Sequence, residues 1–538
     1  MRLGIDVGGT NTDAVLVAGR QEDDVRVLAA VKTPTTEDVT AGVVTAIGEL
    51  LAGAPEGFTP GEIAAVMIGT THFTNAVVAA RDLTPTAVVR LGLPATTAIP
   101  PLSGWPARLR AAVGGRTYLC HGGYEYDGTE LSTLDVDELR RAAADIAGRG
   151  VRSVALSSVF APVNGTMEQE AAEILRAEVP GLRVSCSYEL GRIGLLEREN
   201  ATVLNAALAE LADRLAEALT AALAEAGIGA PLLLSQNDGT LMDIGYSRRL
   251  PAATFASGPT NSMRGAGFLS GVRDCAVVDV GGTTTDVGML VGGFPREAPA
   301  ITDIAGIRVN WRMPDVLSLG IGGGSLVRGF SDADRTTVGP DSVGFGLTSK
   351  ALVFGGDTLT LTDVAVAAGQ ARIGTMTALV RRFDGDRARA VLAEVNERVA
   401  DAVDRMRTSP DPLPVVLVGG GGVVLPDALP GLPDVRRPEH SDVANAIGAA
   451  IAEVGGELDR VVRIADGRRD HVLAEARAEA VERAEAAGAR PGSVEIVEVT
   501  EVPLAYLPGG ATRVRVKAVG DLDLGRVGSR EPVAAPGA

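Results

Sequence analysis

Cysteine, histidine and aromatic residues are all scarce in this 538-residue chain, and each shortage closes off a class of protein. The three cysteines, Cys120, Cys186 and Cys275, are widely spaced and odd in number, so they form neither a disulfide framework nor a zinc pattern. The four histidines are scattered too, which leaves any metal site to be built mostly from carboxylates. Aromatics make up 3% of residues, so the cores are expected to consist of Val, Leu, Ile and Ala. No apolar stretch reaches the ~18 uninterrupted residues of a membrane helix. The N-terminus opens directly into the strand-like Leu3-Gly-Ile5, without a basic, apolar and small-residue leader pattern. Lys and Arg number 50 against 68 Asp and Glu, a net charge of -18. That balance disfavours nonspecific binding to nucleic acid or anionic membranes, which Lys/Arg clusters drive. Nucleotide binding stays open, because backbone N–H groups and a metal ion offset phosphate charge locally. A soluble, cytoplasmic protein with no nucleic-acid or membrane partner is expected.

Against these shortages stands one repeated phrase. Asp6-Val-Gly-Gly-Thr-Asn-Thr-Asp13 returns as Asp279-Val-Gly-Gly-Thr-Thr-Thr-Asp286, and each copy lies between two apolar runs. Residues 1–18 and 277–293 both read as strand, turn, strand. A Rossmann or Walker loop instead passes from a strand into a helix. In each turn an Asp at a strand end can hold hydrated Mg²⁺, glycines leave backbone N–H groups open to phosphate oxygens, and threonine hydroxyls add donors. One copy is a weak signal, since Gly-Gly-Thr can be only a tight turn. Two copies suit a clamp that grips one polyphosphate from both sides. Asp6 and Asp279 are the candidate catalytic and metal-holding residues. Gly8, Gly9, Thr10, Asn11 and Thr12, with Gly281, Gly282, Thr283, Thr284 and Thr285, are the candidate nucleotide-binding residues. Asp13 and Asp286 have a second reading, as turn residues bonded to their own backbone.

The length requires two large domains, and alternating helix and strand signals between the copies indicate α/β layers. Strand-like runs lie at 64–68 and 151–160 and helix-like runs at 38–52 and 442–453. A long helical stretch over 193–226 is expected to pack between the halves or to begin the second. Val415-Val-Leu-Val-Gly-Gly-Gly-Gly422 is a strand ending in four glycines, where backbone passes close to something flat or bulky. After residue 456 a charged helix near 470–487 and two alternating strands suggest a small half-exposed sheet.

Two such turns followed by a strand–Gly-Gly-Gly element resemble the phosphate-1, phosphate-2 and adenosine motifs of the actin, Hsp70 and sugar-kinase superfamily. Within it the chain resembles the hydantoinase A/5-oxoprolinase family along nearly its whole length. The supporting segments are the two turns, Ile68-Gly-Thr-Thr-His-Phe-Thr-Asn-Ala76, Ala256-Ser-Gly-Pro-Thr260, Leu319-Gly-Ile-Gly-Gly-Gly-Ser325, Val338-Gly-Pro-Asp-Ser-Val-Gly344 and Asn445-Ala-Ile-Gly-Ala449. The family often has Ser-Gly-Pro-Ala-Ala-Gly where this chain has Ser257-Gly-Pro-Thr-Asn-Ser262. The family's frequent Pro-Gly-Pro-Ala-Cys-Tyr segment is replaced by Phe345-Gly-Leu-Thr-Ser-Lys350.

The resemblance implies an α/β fold of duplicated actin-like (ribonuclease H-like) ATPase domains flanking a cleft, with a small C-terminal α+β segment. The corresponding divisions are 1–190, 191–455 with the connecting helix, 456–526, and a flexible tail over 527–538. It also implies ATP and Mg²⁺ as cofactors, with Gly419, Gly420 and Gly421 near the adenosine. The implied activity is phosphorylation of a cyclic amide (a hydantoin, 5-oxoproline or related lactam) for ring opening. The expected partner is a hydantoinase B-like or other amidohydrolase subunit, and the assembly is expected to be oligomeric. His72, just past a strand end, reads either as a loop histidine bonded to backbone or as a substrate contact with Thr70, Thr71 and Asn75 as companions. His121 lies in a tyrosine-bearing segment that reads either as a substrate loop or as a hairpin turning at Asp127-Gly128. Glu197-Arg-Glu-Asn200 reads as a solvated face, with a cleft-facing Arg198 as its alternative. An ATP-driven chaperone of the diol-dehydratase reactivase type, or a small-molecule kinase, would share the same core.

Overall fold

The computed structural model describes residues 1–19, 25–35, 39–190, 192–298, 301–332, 335–464, 468–504 and 511–527. The tail expected over 527–538 lies outside the described residues from 528 onward.

Two mixed sheets share one plan. In the first, β1 (Arg2–Val7) pairs antiparallel with β2 (Asn11–Ala18), β2 pairs antiparallel with β3 (Arg26–Pro34), and β4 (Ala65–Thr70) lies parallel on the other side of β1. In the second, β11 (Cys275–Val280) pairs antiparallel with β12 (Thr285–Val291) and parallel with β19 (Val415–Val418). Beyond β12 lie β13 (Phe294–Pro295) and β16 (Val316–Leu319), and beyond β19 lies β20 (Val435–Arg436). In both sheets a hairpin built on the repeated phrase is followed by a parallel strand on its far side. This is the duplicated actin-like architecture.

The sheets divide the chain differently from the boundaries expected at 190 and 455. β9 (Leu232–Ser235) pairs with β4, and β10 (Thr240–Asp243) pairs with β9. β21 (Glu453–Arg463) then pairs parallel with β10, and β23 (Ala511–Gly520) and β22 (Glu495–Pro503) follow it. The C-terminal strands therefore extend the first lobe to nine strands in place of a separate small sheet. The stretch over 193–226 breaks into α5 (Leu195–Ala207) and α6 (Ala209–Glu225), and both lie in the first-lobe core with Leu3, Ile5 and Ile68. A parallel four-stranded sheet of β5 (Thr86–Leu93), β6 (Arg116–His121), β7 (Ser153–Ser158) and β8 (Arg183–Cys186) carries α3 (Val136–Gly148) and α4 (Thr166–Glu178). Its aliphatic core is separate. Each fully buried Leu, Ile or Val in such cores contributes roughly 1.5–3 kcal/mol, which is how a chain so poor in aromatics holds together.

α1 (Val39–Ala52) and α2 (His72–Ala79) pack into the first-lobe core and α8 (Gly385–Met406) into that of the second, and the lobes meet through two helices, α7 (Ser257–Ser270) and α9 (Ala444–Ile451). Small residues let their backbones touch. A Cβ on Gly265 would stand 1.9 Å from the Ala444 carbonyl oxygen, and one on Gly448 would stand 1.9 Å from that of Asn261. A strap from the second lobe, carrying the hairpin β14 (Thr302–Ile304) and β15 (Ile307–Val309), buries Ile304, Ile307, Val309 and Trp311 in the first-lobe core. Trp311 meets Phe255 edge to face at 4.8 Å. Charges fasten the strap as well: Glu297 pairs with Arg192 and with Arg515 of β23, and Arg312 pairs with Glu457 of β21.

Candidate active site

The two repeated phrases fold as matching hairpin turns. The Gly8 N–H donates to the Asn11 carbonyl at 3.0 Å, and the Gly281 N–H to the Thr284 carbonyl at 2.9 Å. Strand register puts Asp6 opposite Asp13 and Asp279 opposite Asp286. Gly9, Thr283 and Thr284 are exposed at the tips. The turns face each other closely, since a Cβ on Gly282 would stand 2.8 Å from Thr10 Oγ1. The glycine run from Gly320 backs the second turn: the N–H groups of Gly323 and Gly324 donate to the carbonyls of Gly281 and Gly282 at 3.0 and 2.7 Å.

Asp6 is buried, and its Oδ2 accepts from Asn445 Nδ2 of α9 at 2.9 Å. Its Oδ1 lies 3.5 Å from Asn261 Nδ2 of α7. Burial and the neighbouring Asp13 push the Asp6 carboxyl up to about 7, and Asp279 adds to the rise while the two amides oppose it. Asp279 is partly open to solvent. Burial raises its carboxyl, while the nearby Ser262 hydroxyl and the charge of Lys32 hold it down. The Asp279 charge reaches the Asp6 carboxyl, and the turns that follow the two aspartates approach each other at Thr10 and Gly282.

Each aspartate also has its own glycine. Gly69 pairs with Asp6 in the parallel register, and a Cβ there would stand 2.4 Å from Asp6 Oδ1. Gly419 follows Val418, the register partner of Asp279, and its Cβ would stand 2.2 Å from Asp279 Oδ1. Any side chain at either position would displace the carboxylate.

Lys32 was not among the residues expected from the sequence. It lies on β3 opposite Asp13, bonds the Asp13 carboxylate, and bears on Asp279. Its stem would lie 3.3 Å from a Cβ on Gly420 of the second lobe. The available signal was rarity: only Lys32, Lys350 and Lys517 are lysines in a chain with 50 basic residues. Asn445, Asn261 and Ser262 were also outside the expected set.

The remaining residues sort themselves. The Thr70 N–H donates to Ser257 Oγ at 3.2 Å, and Ser257 Oγ donates back to the Thr70 carbonyl at 3.1 Å. Thr70 Oγ1 accepts from the His72 N–H, and Thr71 Oγ1 donates to the Val7 carbonyl and accepts from Asn75 Nδ2. The group sits immediately past Gly69, beside Asp6, with Asn75 exposed. The Thr12 hydroxyl lies 3.3 Å from that of Thr35, and the Thr285 hydroxyl donates to the Ile321 carbonyl at 2.7 Å, so both brace their turns. Gly421 packs under the second turn, its N–H donating to the Val280 carbonyl at 2.7 Å. Asp13 and Asp286 do not bond their own turns; Asp286 accepts from Ser318 across the strand pair.

Glu197-Arg-Glu-Asn200 is not a solvated face. Arg198 is fully buried and donates to Ser187 and to the carbonyls of Ser158, Arg192 and Ile193. Glu199 takes a bidentate pair from buried Arg90 at 2.7 and 2.6 Å, fastening α5 to the four-stranded sheet. His121 bonds Glu138 at 3.0 Å, and a hairpin turns at Asp127-Gly128 as the second reading expected.

The facing turns thus offer hard oxygen donors, Asp6 and Asp279 first. Such donors suit Mg²⁺ and not a thiophilic metal.

Comparison with known proteins agrees with this architecture. Family models described as the hydantoinase/oxoprolinase N-terminal region and hydantoinase/oxoprolinase match residues 2–179 and 198–377. The caprolactamase subunit alpha of Pseudomonas jessenii is 28% identical over 476 residues, 78% of this chain and 65% of its own length. The acetophenone carboxylase gamma subunit of Aromatoleum aromaticum is 29% identical over 252 residues, 45% of this chain and 34% of its own length. The chain therefore spans less than two thirds of these relatives, both named as subunits. The crystal structure of ATP-dependent caprolactamase from Pseudomonas jessenii matches with a TM-score of 0.73 at 20% identity, covering 100% of this chain and 89% of that one. Nucleotide-free acetone carboxylase matches at 0.70 and 19% identity, over 97% and 88%. With two turns of one design, a glycine behind each aspartate and both family regions matched in order, the chain belongs to the hydantoinase/oxoprolinase family.

Proposed function

We propose that this chain is the ATP-dependent subunit of an enzyme that activates a cyclic amide by phosphorylating its carbonyl oxygen. The observation that carries this reading is the pair of aspartate-bearing turns facing each other, one from each lobe. A lactam carbonyl is a poor electrophile because its nitrogen donates into it. Transfer of the γ-phosphoryl group breaks its bond to the β-bridging oxygen and forms one to the amide oxygen. Water then adds at the carbon and the ring C–N bond breaks, and a second water releases the phosphate. Mg²⁺ would neutralise charge on the β- and γ-phosphates. Asp6 and Asp279 would hold it, the turns at 8–12 and 281–285 would cradle the phosphates with backbone N–H groups, and Lys32 would add its charge at the cleft. Gly420 and the strand end before it would flank the adenosine. Thr70, Thr71, His72 and Asn75, adjoining Asp6, would face the amide. The hydrolytic half would fall to a partner subunit.

Purified chain with MgATP, a lactam panel and a hydantoinase B-like partner should release phosphate only with a matching lactam. ATP binding with no phosphate release across the panel would overturn the reading. The carboxylase relatives favour a second one, in which the phosphorylated oxygen belongs to an enolisable ketone. Ketone-dependent phosphate release that ignores lactams would select it.

A further inference from the structure

The strap that leaves the second lobe is anchored at its base and along its length. At the base the Ala298 N–H donates to the Met313 carbonyl at 2.9 Å, and the Asp315 N–H to the Arg296 carbonyl at 2.7 Å. An ion pair between Arg296 and Asp315 at 2.7 Å closes the same neck. The neck continues the second sheet, because β13 ends at Pro295 and β16 begins at Val316. From there the strap bonds the first lobe. Glu297 pairs with Arg192 at 3.0 Å and with Arg515, and Arg312 pairs with Glu457 and, at 3.5 Å, with Asp459. Asn310 Nδ2 donates to the carbonyls of Arg192 and Gly194 at 3.2 and 3.0 Å. At the tip, Asn200 Nδ2 of α5 donates to the Arg308 carbonyl at 2.9 Å, and a Cβ on Gly306 would stand 3.0 Å from Pro106 Cγ.

The contact between α7 and α9 is of another kind. Backbone and small residues make it, at Gly265, Ala444 and Gly448, and packed helices can slide on each other. The strap cannot follow such a movement. Its partners Arg192, Gly194, Asn200, Glu457, Asp459 and Arg515 all lie outside both helices. Rotation of the lobes would have to draw Ile304, Ile307, Val309 and Trp311 out of the first-lobe core and into water. It would also separate Glu297 from Arg515, whose side chains are only 18% and 8% exposed, and parting a buried pair is strongly unfavourable.

We propose that the strap is an interlobe lock. It holds the two aspartate-bearing turns, which approach each other at Thr10 and Gly282, at a preset spacing, so that ligands enter and leave without the lobes swinging apart. Many two-lobed proteins instead close on their ligands by hinge rotation. The inference concerns the spacing of the lobes and stands whether or not the turns hold a nucleotide.

The test uses the full chain with spin labels on Val44→Cys of α1 and Glu394→Cys of α8, two exposed positions on opposite lobes. Cys120, Cys186 and Cys275 are buried and stay unlabelled. Double electron–electron resonance should give one narrow distance that moves by less than about 2 Å when a non-hydrolysable MgATP analogue is added. Trp311→Ala, and separately Glu297→Gln combined with Arg312→Gln, should broaden that distribution or add a second distance in the absence of ligand. A shift beyond about 2 Å in the chain with an intact strap overturns the proposal. So does an unchanged narrow distance in both strap variants, each shown to melt cooperatively. If Trp311→Ala does not fold, the ion-pair variant decides alone. If the analogue does not bind, the clamp reading fails, and the ligand-free comparison still decides the lock.

Discussion

The two lobes carry the same hairpin, yet the residue opposite the second aspartate of each differs. Asp13 faces Lys32, whereas Asp286 faces Ser318. The first lobe thus holds two buried carboxylates against a lysine and two asparagine amides, and the second leaves Asp279 partly open with a serine beside it. Duplication preserved the hairpin backbone, while the charge balance was divided unevenly. Lys32 belongs to one lobe and bears on the carboxylates of both.

The comparison can be broken most sharply at the aspartates. Asp6→Asn and Asp279→Asn should each lower ATP-dependent phosphate release by roughly 10³-fold, the order seen when a charge-stabilising group is removed from a reacting centre. Asp6→Asn alone should also raise the melting temperature measured in EDTA, because it removes the more buried charge; a fall there would mean that Asp6 is already compensated.

The glycines come next. Gly69→Ala and Gly419→Ala should each destabilise the protein by about 1–3 kcal/mol through overpacking, read by denaturant unfolding. Gly419→Ala should be the worse, since its φ of +91° is also unfavourable for alanine. Equal effects would remove this asymmetry.

Lys32→Met should cost about 1–3 kcal/mol by leaving Asp13 buried without its cation. Lys32→Met combined with Asp13→Asn should recover most of the stability but not the affinity for ATP, if Lys32 also serves the second lobe. Isothermal titration separates the two.

The smallest effect is a pH dependence. Without a cation the Asp6 carboxyl lies at about 7, so cation binding must displace a proton. Mg²⁺ affinity should rise by up to about tenfold per pH unit below 7 and flatten above it. The stability linkage has the opposite sense. A raised carboxyl favours the protonated folded form, so this contribution is complete below the ordinary aspartate value and is lost as pH rises through about 7. Melting curves in EDTA from pH 5 to 8 should record that decline, and Asp6→Asn should abolish it.

Local order is what the sequence made legible. Both turns, the strands around them and the small-residue helix at 444–451 follow from periodicity and glycine placement. Register and long-range pairing were not legible. Lys32 becomes a site residue only once β3 is aligned with β2, and Asn261 only once two helices pack within contact of their backbones. Arg198 and Glu199 look like surface charges in sequence because nothing local announces Arg90 or Glu168 as neighbours. The C-terminal strands alternate apolar and charged residues as an exposed sheet would. Their charges are instead consumed by ion pairs: Arg513 with Asp459, Arg515 with Glu297 and Glu457, and Lys517 with Asp238, so Arg515 and Lys517 are buried.

That late extension of the first sheet bears on biosynthesis. β10 acquires its outer neighbour only when β21 emerges, about 210 residues later, which at typical elongation rates is about 10–40 s. During that interval the nascent first lobe presents an unsatisfied strand edge while the entire second lobe is being made. Ribosome-bound chains halted before residue 453 should therefore be the ones that chaperones hold.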